Sequence, residues 1–365
     1  MATNRDPRFI EHTGTYTNGI FSGARAVLFY DDKLTDKQYD GPWENNKRNG
    51  EGTSYYKNNN PEYVGHWSND EYHGDGCSYW SNGKKKYEGN FDRNKYHGDG
   101  ILYHNTGFLY KTGHFIKNKL EGQGIEYYNK IDSKKYEGEF RNDVWYGNGT
   151  SYYQNGNTMY KGEFENGIYH GSGTLYNDRG EVIYKGYFNH GKYHGHGELV
   201  YPNGEYYIGT FKNHMRHGSN GKQYFSKEGA LKYVGDWCDD KYDGEGEEHY
   251  YQEGRGRHQT LKYKGTFKNG KYHGNTTNNC LYYKDRQGLE FKGKFKEGKK
   301  LEGTEYKVYS NKVKEYYSGS YDTNEKYTGS GKIYHECGNL KYEGYFKNGL
   351  YDGNGIVYYT NGNLY

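Results

Sequence analysis

The chain has 365 residues, a formal net charge of +3 and a mean hydropathy of −1.32. So small a charge excludes a strong electrostatic pull towards nucleic acid or a membrane surface. Hydrophobic residues make up only 32%, but 49 Tyr, 15 Phe and 5 Trp exclude a disordered chain, because aromatic rings supply most burial energy per residue.

Beside the rings stand 56 Gly and only 4 Pro, without the three-residue period of collagen. Rings lying flat over bare backbone are the arrangement such a composition favours. No eighteen apolar residues run together, so no helical membrane span is expected. Cys77, Cys238, Cys280 and Cys337 are scattered and are expected to be reduced thiols of a cytosolic protein.

Residues 1–38 lack the apolar core of a signal peptide, and Ala2 in place of Gly excludes myristoylation. They carry a weak copy of the phrase that follows, Gly14-Thr15-Tyr16 and then Asn18-Gly19. The first clear copy starts at Tyr39 and contains Pro42, a residue suited to a sheet edge. The next reads Tyr63, Gly65, Trp67, Tyr72-His73-Gly74 and Gly76; another follows with Tyr87, Gly89, Phe91, Tyr96-His97-Gly98 and Gly100. Lys111 opens a degenerate copy, and Tyr136, Tyr160, Tyr184 and Tyr207 open regular ones. The step is about 24 residues to this point, then about 25 to 30 for starts at Tyr233, Tyr263, Phe291, Tyr317 and Tyr342. Residues 39–365 are therefore read as about thirteen repeats, regular to about residue 232 and looser after it.

Tyr63, Gly65 and Trp67 stand at i, i+2 and i+4, so an extended strand puts all three on one face. Turn signals follow. Asn166-Gly167, Asn269-Gly270 and Asn348-Gly349 fall inside repeats, while Asn82-Gly83, Asn155-Gly156, Asn203-Gly204 and Asn361-Gly362 fall between them. Asn-Gly is expected to supply the positive φ angles of tight hairpin turns at both places. One repeat cannot fold alone, because two or three buried rings do not offset the ordering of two dozen residues. Neighbours must share strand bonds and stack rings over glycines. At about 4.8 Å per strand, the array is expected to reach the order of 120 Å.

Tyr-x-Gly-x-Phe/Trp, a short turn, His-Gly-x-Gly and then Tyr resembles the MORN (membrane occupation and recognition nexus) repeat, over roughly residues 12–365. The resemblance implies an all-β fold, an elongated, twisted antiparallel ribbon of stacked hairpins, solenoid-like in its repetition. It also implies a non-catalytic scaffold in the cytoplasm, built into a cytoskeletal assembly such as a ciliary radial spoke head and binding other structural proteins. A peripheral scaffold binding anionic lipid is the alternative. Lys111, Tyr146, Asp243, Thr328 and Asp352 depart from the pattern, and Asn275-Thr276 stand where the second Gly is expected.

His73, His97, His170, His194 and His273 share one repeat position, but equivalent residues about 9–10 Å apart cannot share a zinc ion. No metal, cofactor or catalytic group is expected, and these histidines read as turn residues bonding to backbone. Lys292, Lys294 and Lys296 alternate with Phe291, Gly293 and Phe295, followed by Lys299 and Lys300. They are the candidate contact for an anionic lipid or acidic partner. The period of the rings is that of the hairpin, so burial rather than nucleic-acid stacking explains them. At the C-terminal edge Tyr358, Tyr359 and Tyr365 are the candidate interface for strand addition by a partner or second copy, and truncating the last repeat should weaken assembly.

Overall fold

The computed structural model describes residues 9–30, 35–129, 133–226, 229–251, 260–284 and 288–365. Among them are 31 β-strands and no helix. The chain divides into two units, Met1–Val182 and Ile183–Tyr365. Each unit is a one-layer antiparallel meander in which strands pair with their neighbours in sequence. The fold is all-β, as the alternation predicts.

Strand Pro61–Ser68 shows why these residues fold this way. Tyr63, Gly65 and Trp67 are buried while Val64 and His66 are exposed. Gly65 lies opposite Gly76 on the following strand, and Gly76 lies opposite Gly89 on the next. This pairing repeats through Gly100, Gly113, Gly124, Gly138 and Gly149, so each strand adds one glycine to a column crossing the sheet. Unit 2 has its own column, with Gly186–Gly197–Gly209 and Gly235–Gly246–Gly265 as examples.

A tyrosine ring lies over most of these glycine pairs. A Cβ on Gly76 would come within 2.6 Å of Cε2 and Cζ of Tyr63, which is itself fully buried. The second strand adds a partner: Tyr72 stacks on Tyr63 at 3.9 Å and 11°, while Phe91 of the next repeat meets Tyr63 edge-on at 5.1 Å. Both geometries suit the ring quadrupole. Tyrosine rather than phenylalanine opens most repeats because the register shifts between Gly65 and Trp67, and the Tyr63 hydroxyl donates to the His66 carbonyl at that shift (2.8 Å). Tyr136, Tyr233 and Tyr342 do the same to residues three further on.

The two turns use different chemistry. Inside a repeat both turn residues have positive φ, 52° at Asn166 and 78° at Gly167, as expected. Between repeats only the glycine does, 81° at Gly83. Asn82 contributes its side chain instead, accepting from Lys84 N and donating to the Asn105 carbonyl of the next connection. This corrects the expectation of one Asn-Gly mechanism for both turns. Pro42 is also not on an edge. Its strand, Lys37–Glu44, pairs on both sides, and Pro42 falls where the pairing skips from Gly41 to Trp43. Proline is tolerated there because the ladder has no donor to lose.

Degenerate repeats keep the packing by other means. Leu120 covers Gly113 and Gly124, where an added Cβ would come within 2.9 Å of its methyl carbons, and replaces the ring that Lys111 cannot supply. Lys111 is 6% exposed, and its ammonium donates to the Asp143 carboxylate at 2.9 Å. The glycine opposite Gly265 is replaced by Asn279 rather than by Asn275-Thr276 as expected, because an insertion separates strands Lys271–His273 and Cys280–Tyr282. Asn279 is 1% exposed, accepts from Thr266 N and donates to the Gly293 carbonyl.

Arg48 and Arg216 occupy the position of the stacking Tyr72, and in both cases the next repeat carries Trp in place of Phe. The guanidinium lies 4.0 Å from the Trp67 ring centroid and 4.1 Å from that of Trp237. The Trp Nε1 donates to the Gly52 or Gly221 carbonyl, and each arginine bonds to Asp70 or Asp240. Arg with Trp thus fills the volume of Tyr with Phe. Changing Arg216→Tyr or Trp237→Phe alone should destabilise more than their combination, with a coupling of about 1–2 kcal/mol. Thermal denaturation of the four proteins measures this, and additive losses would show that the two side chains act independently.

Candidate functional site

The solvent face of strand Leu289–Lys296 carries Lys292, Lys294 and Lys296, alternating with buried Phe291, Gly293 and Phe295 as the spacing predicts. The five candidate lysines do not share one environment, however. Lys294 pairs with Glu302 at 2.8 Å, and Lys299 donates to the Thr323 carbonyl at 2.7 Å. Lys300 sits across the hairpin from Phe295, on the inner face. Its ammonium is 5.2 Å from the Phe291 ring centroid and 3.4 Å from the Glu290 carboxylate. It occupies the place of Tyr72, in a strand and not in the turn where the sequence placed it, and this separates it from the other candidate lysines. Lys292 and Lys296 point to solvent. One repeat earlier, Lys262 pairs with Glu248 and Lys264 with Glu247, both at 2.9 Å.

At the other candidate surface, strand Leu350–Val357 is exposed along its whole length. Tyr358 is half-buried and bridges to Leu364, while Tyr359 and Tyr365 are exposed with ring centroids 5.0 Å apart. Sequence reasoning missed a third feature, a cleft of about 380 Å³ in unit 1. Its walls include Trp80, Lys86, Leu102, His104 and Tyr110. Lys86 lies 4.9 Å from the Trp80 ring centroid, and the His104 and Tyr110 rings meet at 4.3 Å, tilted by 34°. Burial holds the His104 imidazole below its usual pKa. Trp80 and His104 stand at equivalent positions of successive repeats, and the cleft was missed because spacing alone does not show that their side chains converge with Lys86 and Tyr110.

The histidines sit in strands rather than turns. Their backbone carbonyls, not their rings, accept the second bond of the core tyrosines, as at His170 from Tyr160 (3.3 Å) and His273 from Tyr263 (3.2 Å).

The MORN repeat family model matches ten segments, residues 39–60, 63–85, 87–107, 112–130, 136–158, 160–181, 184–206, 207–219, 263–275 and 342–364. Together these span more than half of the chain. The protein belongs to the MORN repeat family. No curated protein was found to match it. Between the matched segments, the MORN pairing of glycine with glycine continues at Gly235–Gly246 and Gly303–Gly319. Those repeats escape a sequence pattern because of insertions and substitutions such as Phe291 and Lys300, while their backbone register is kept.

Proposed function

We propose that this MORN protein is a non-catalytic scaffold in a cytoskeletal assembly, with a ciliary complex as its setting by family resemblance. The observation that supports it is the continuity of one packing unit. In each unit the inner face is taken up by rings over glycines, and what changes along the chain is the outer face and the turns. A surface of that kind offers many separate attachment points and commits little of the chain to any one of them. The lysines weigh against membrane attachment, since internal carboxylates already pair Lys294, Lys300, Lys262 and Lys264.

Two assays on the same tagged protein test this reading. After detergent extraction it should stay with the insoluble cytoskeleton, and it should not float with anionic vesicles at physiological salt. Flotation that high salt reverses, and that Lys292, Lys294 and Lys296 all changed to Glu abolish, would replace the scaffold reading with the lipid one.

A further inference from the structure

Equivalent histidines of successive repeats are too far apart to share a metal ion, but the hairpin register brings together positions that are not equivalent. The residue after the stacking Tyr or Arg of one repeat faces the two residues that follow the Phe or Trp of the next. His73 Nδ1 approaches Asp92 Oδ1 at 3.7 Å in this way. At that pair of positions other repeats place Ile116-Lys117 opposite His97, Asn189-His190 opposite His170, Lys212-Asn213 opposite His194 and Lys296-Glu297 opposite His273. Opposite His217 stand Cys238 and Asp239.

The imidazole nitrogen, thiol sulfur and carboxylate oxygen of His217, Cys238 and Asp239 all lie within 4.8 Å of one another. His217 Nδ1 is buried and makes no hydrogen bond; Asp239 Oδ1 is 3.5 Å away. His194 Nδ1 is likewise buried and without a hydrogen bond, so the fold itself leaves this nitrogen facing the gap between repeats. Only at His217 does the next repeat supply a sulfur and an oxygen there. Metal–donor distances of about 2.0–2.3 Å set the donors of a tetrahedral zinc site about 3.3–3.8 Å apart. Cys238 and Asp239 are exposed and sit at the start of a turn, so their side chains can close the remaining ångström.

We infer that His217, Cys238 and Asp239 form a binding site for a borderline-soft divalent cation, of which Zn(II) is the type. The mixed nitrogen, sulfur and oxygen donors suit such an ion better than calcium or magnesium, which take oxygen alone. Three protein donors leave the fourth position to water. Binding converts the Cys238 thiol to a thiolate, releases its proton to solvent and forms one metal–sulfur, one metal–nitrogen and one metal–oxygen bond. Because His217 belongs to the repeat opened by Tyr207 and the other two to the repeat opened by Tyr233, the ion clips neighbouring hairpins together.

Titration of the full chain with Co(II), a spectroscopic stand-in for Zn(II), tests this under reducing conditions. The wild type should develop a sulfur-to-cobalt charge-transfer band and tetrahedral d–d bands that saturate at one equivalent and are displaced by Zn(II). Cys238→Ser should abolish the charge-transfer band, and His217→Gln should weaken binding by about 10- to 100-fold or more. Both variants keep a native far-UV spectrum because neither side chain belongs to the ring core. Absence of the band in the wild type, or its survival in Cys238→Ser through another cysteine, would overturn the assignment.

Discussion

Raising the pH above 10 is expected to unfold the protein cooperatively, with tyrosinate absorbance appearing in the same step in which the β-sheet signal is lost. The ordinary phenol pKa is 10.0, and burial pushes Tyr207 and Tyr317 up to about 12. It raises Tyr63, Tyr87, Tyr136, Tyr160, Tyr184 and Tyr233 further still. A raised pKa in the folded state means that the neutral phenol is favoured there. The associated stability is intact below pH 10, declines as the unfolded chain begins to ionise, and is gone once the folded value is passed. Between those two values each such tyrosine loses about 1.4 kcal/mol per pH unit. Several acting together exceed a typical folding stability of about 5–15 kcal/mol before pH 12. Parallel absorbance and circular dichroism titrations measure this. Gradual ionisation with the sheet spectrum intact would mean that the rings are open to water.

Gly149→Ala should be among the most damaging single methyl additions. Gly149 lies outside the left-handed region of φ, so a side chain meets no backbone strain there. It meets the Tyr136 ring instead, with Cε2 and Cζ at 2.5 Å. That ring is fully buried, held by Trp145 stacked at 4.6 Å and by Phe164 edge-on at 5.0 Å, so it has nowhere to go. The cost is expected to reach about 3 kcal/mol, the upper end for overpacking a tight core. Gly156→Ala is the contrast, since nothing lies within 4 Å of its Cβ and only its φ of 86° opposes the change. That costs about 1 kcal/mol. Hydrogen exchange should show Gly149→Ala opening the strands Lys134–Arg141 to Thr158–Glu165 while remote repeats stay protected, as a chain of nearest-neighbour contacts requires. Equal effects of the two changes would contradict the ring-over-glycine packing.

The hairpin fold was legible in the alternation of Tyr63, Gly65 and Trp67, since a period of two with turn residues at both ends has one reading. The stacking of Tyr72 on Tyr63 was hidden because Tyr72-His73-Gly74 reads as one phrase, and only the cross-strand register separates the inward tyrosine from the histidine beside it. Arg48, Arg216 and Lys300 were hidden for a related reason. In a sequence they look like solvent-facing charges, yet their stems cover core rings and their heads reach acidic groups at the margin. Asn279 was displaced from its expected place by an insertion whose length does not reveal which residue re-enters the column. The His217–Cys238–Asp239 group joins two repeats through unlike positions, and comparing like with like, the natural way to read a repeat, passes over it.

Proton shifts of the glycines provide the most direct test of the packing on which this account depends. With only glycine isotope-labelled, the α-protons of Gly76, Gly100, Gly149 and Gly246 should resonate far upfield of unstructured glycine, because each Cα lies beneath a tyrosine face. Gly156, Gly204 and Gly362, which have nothing within 4 Å of their Cβ positions, should stay in the ordinary range. A spectrum in which all glycine α-protons fall together would contradict the account.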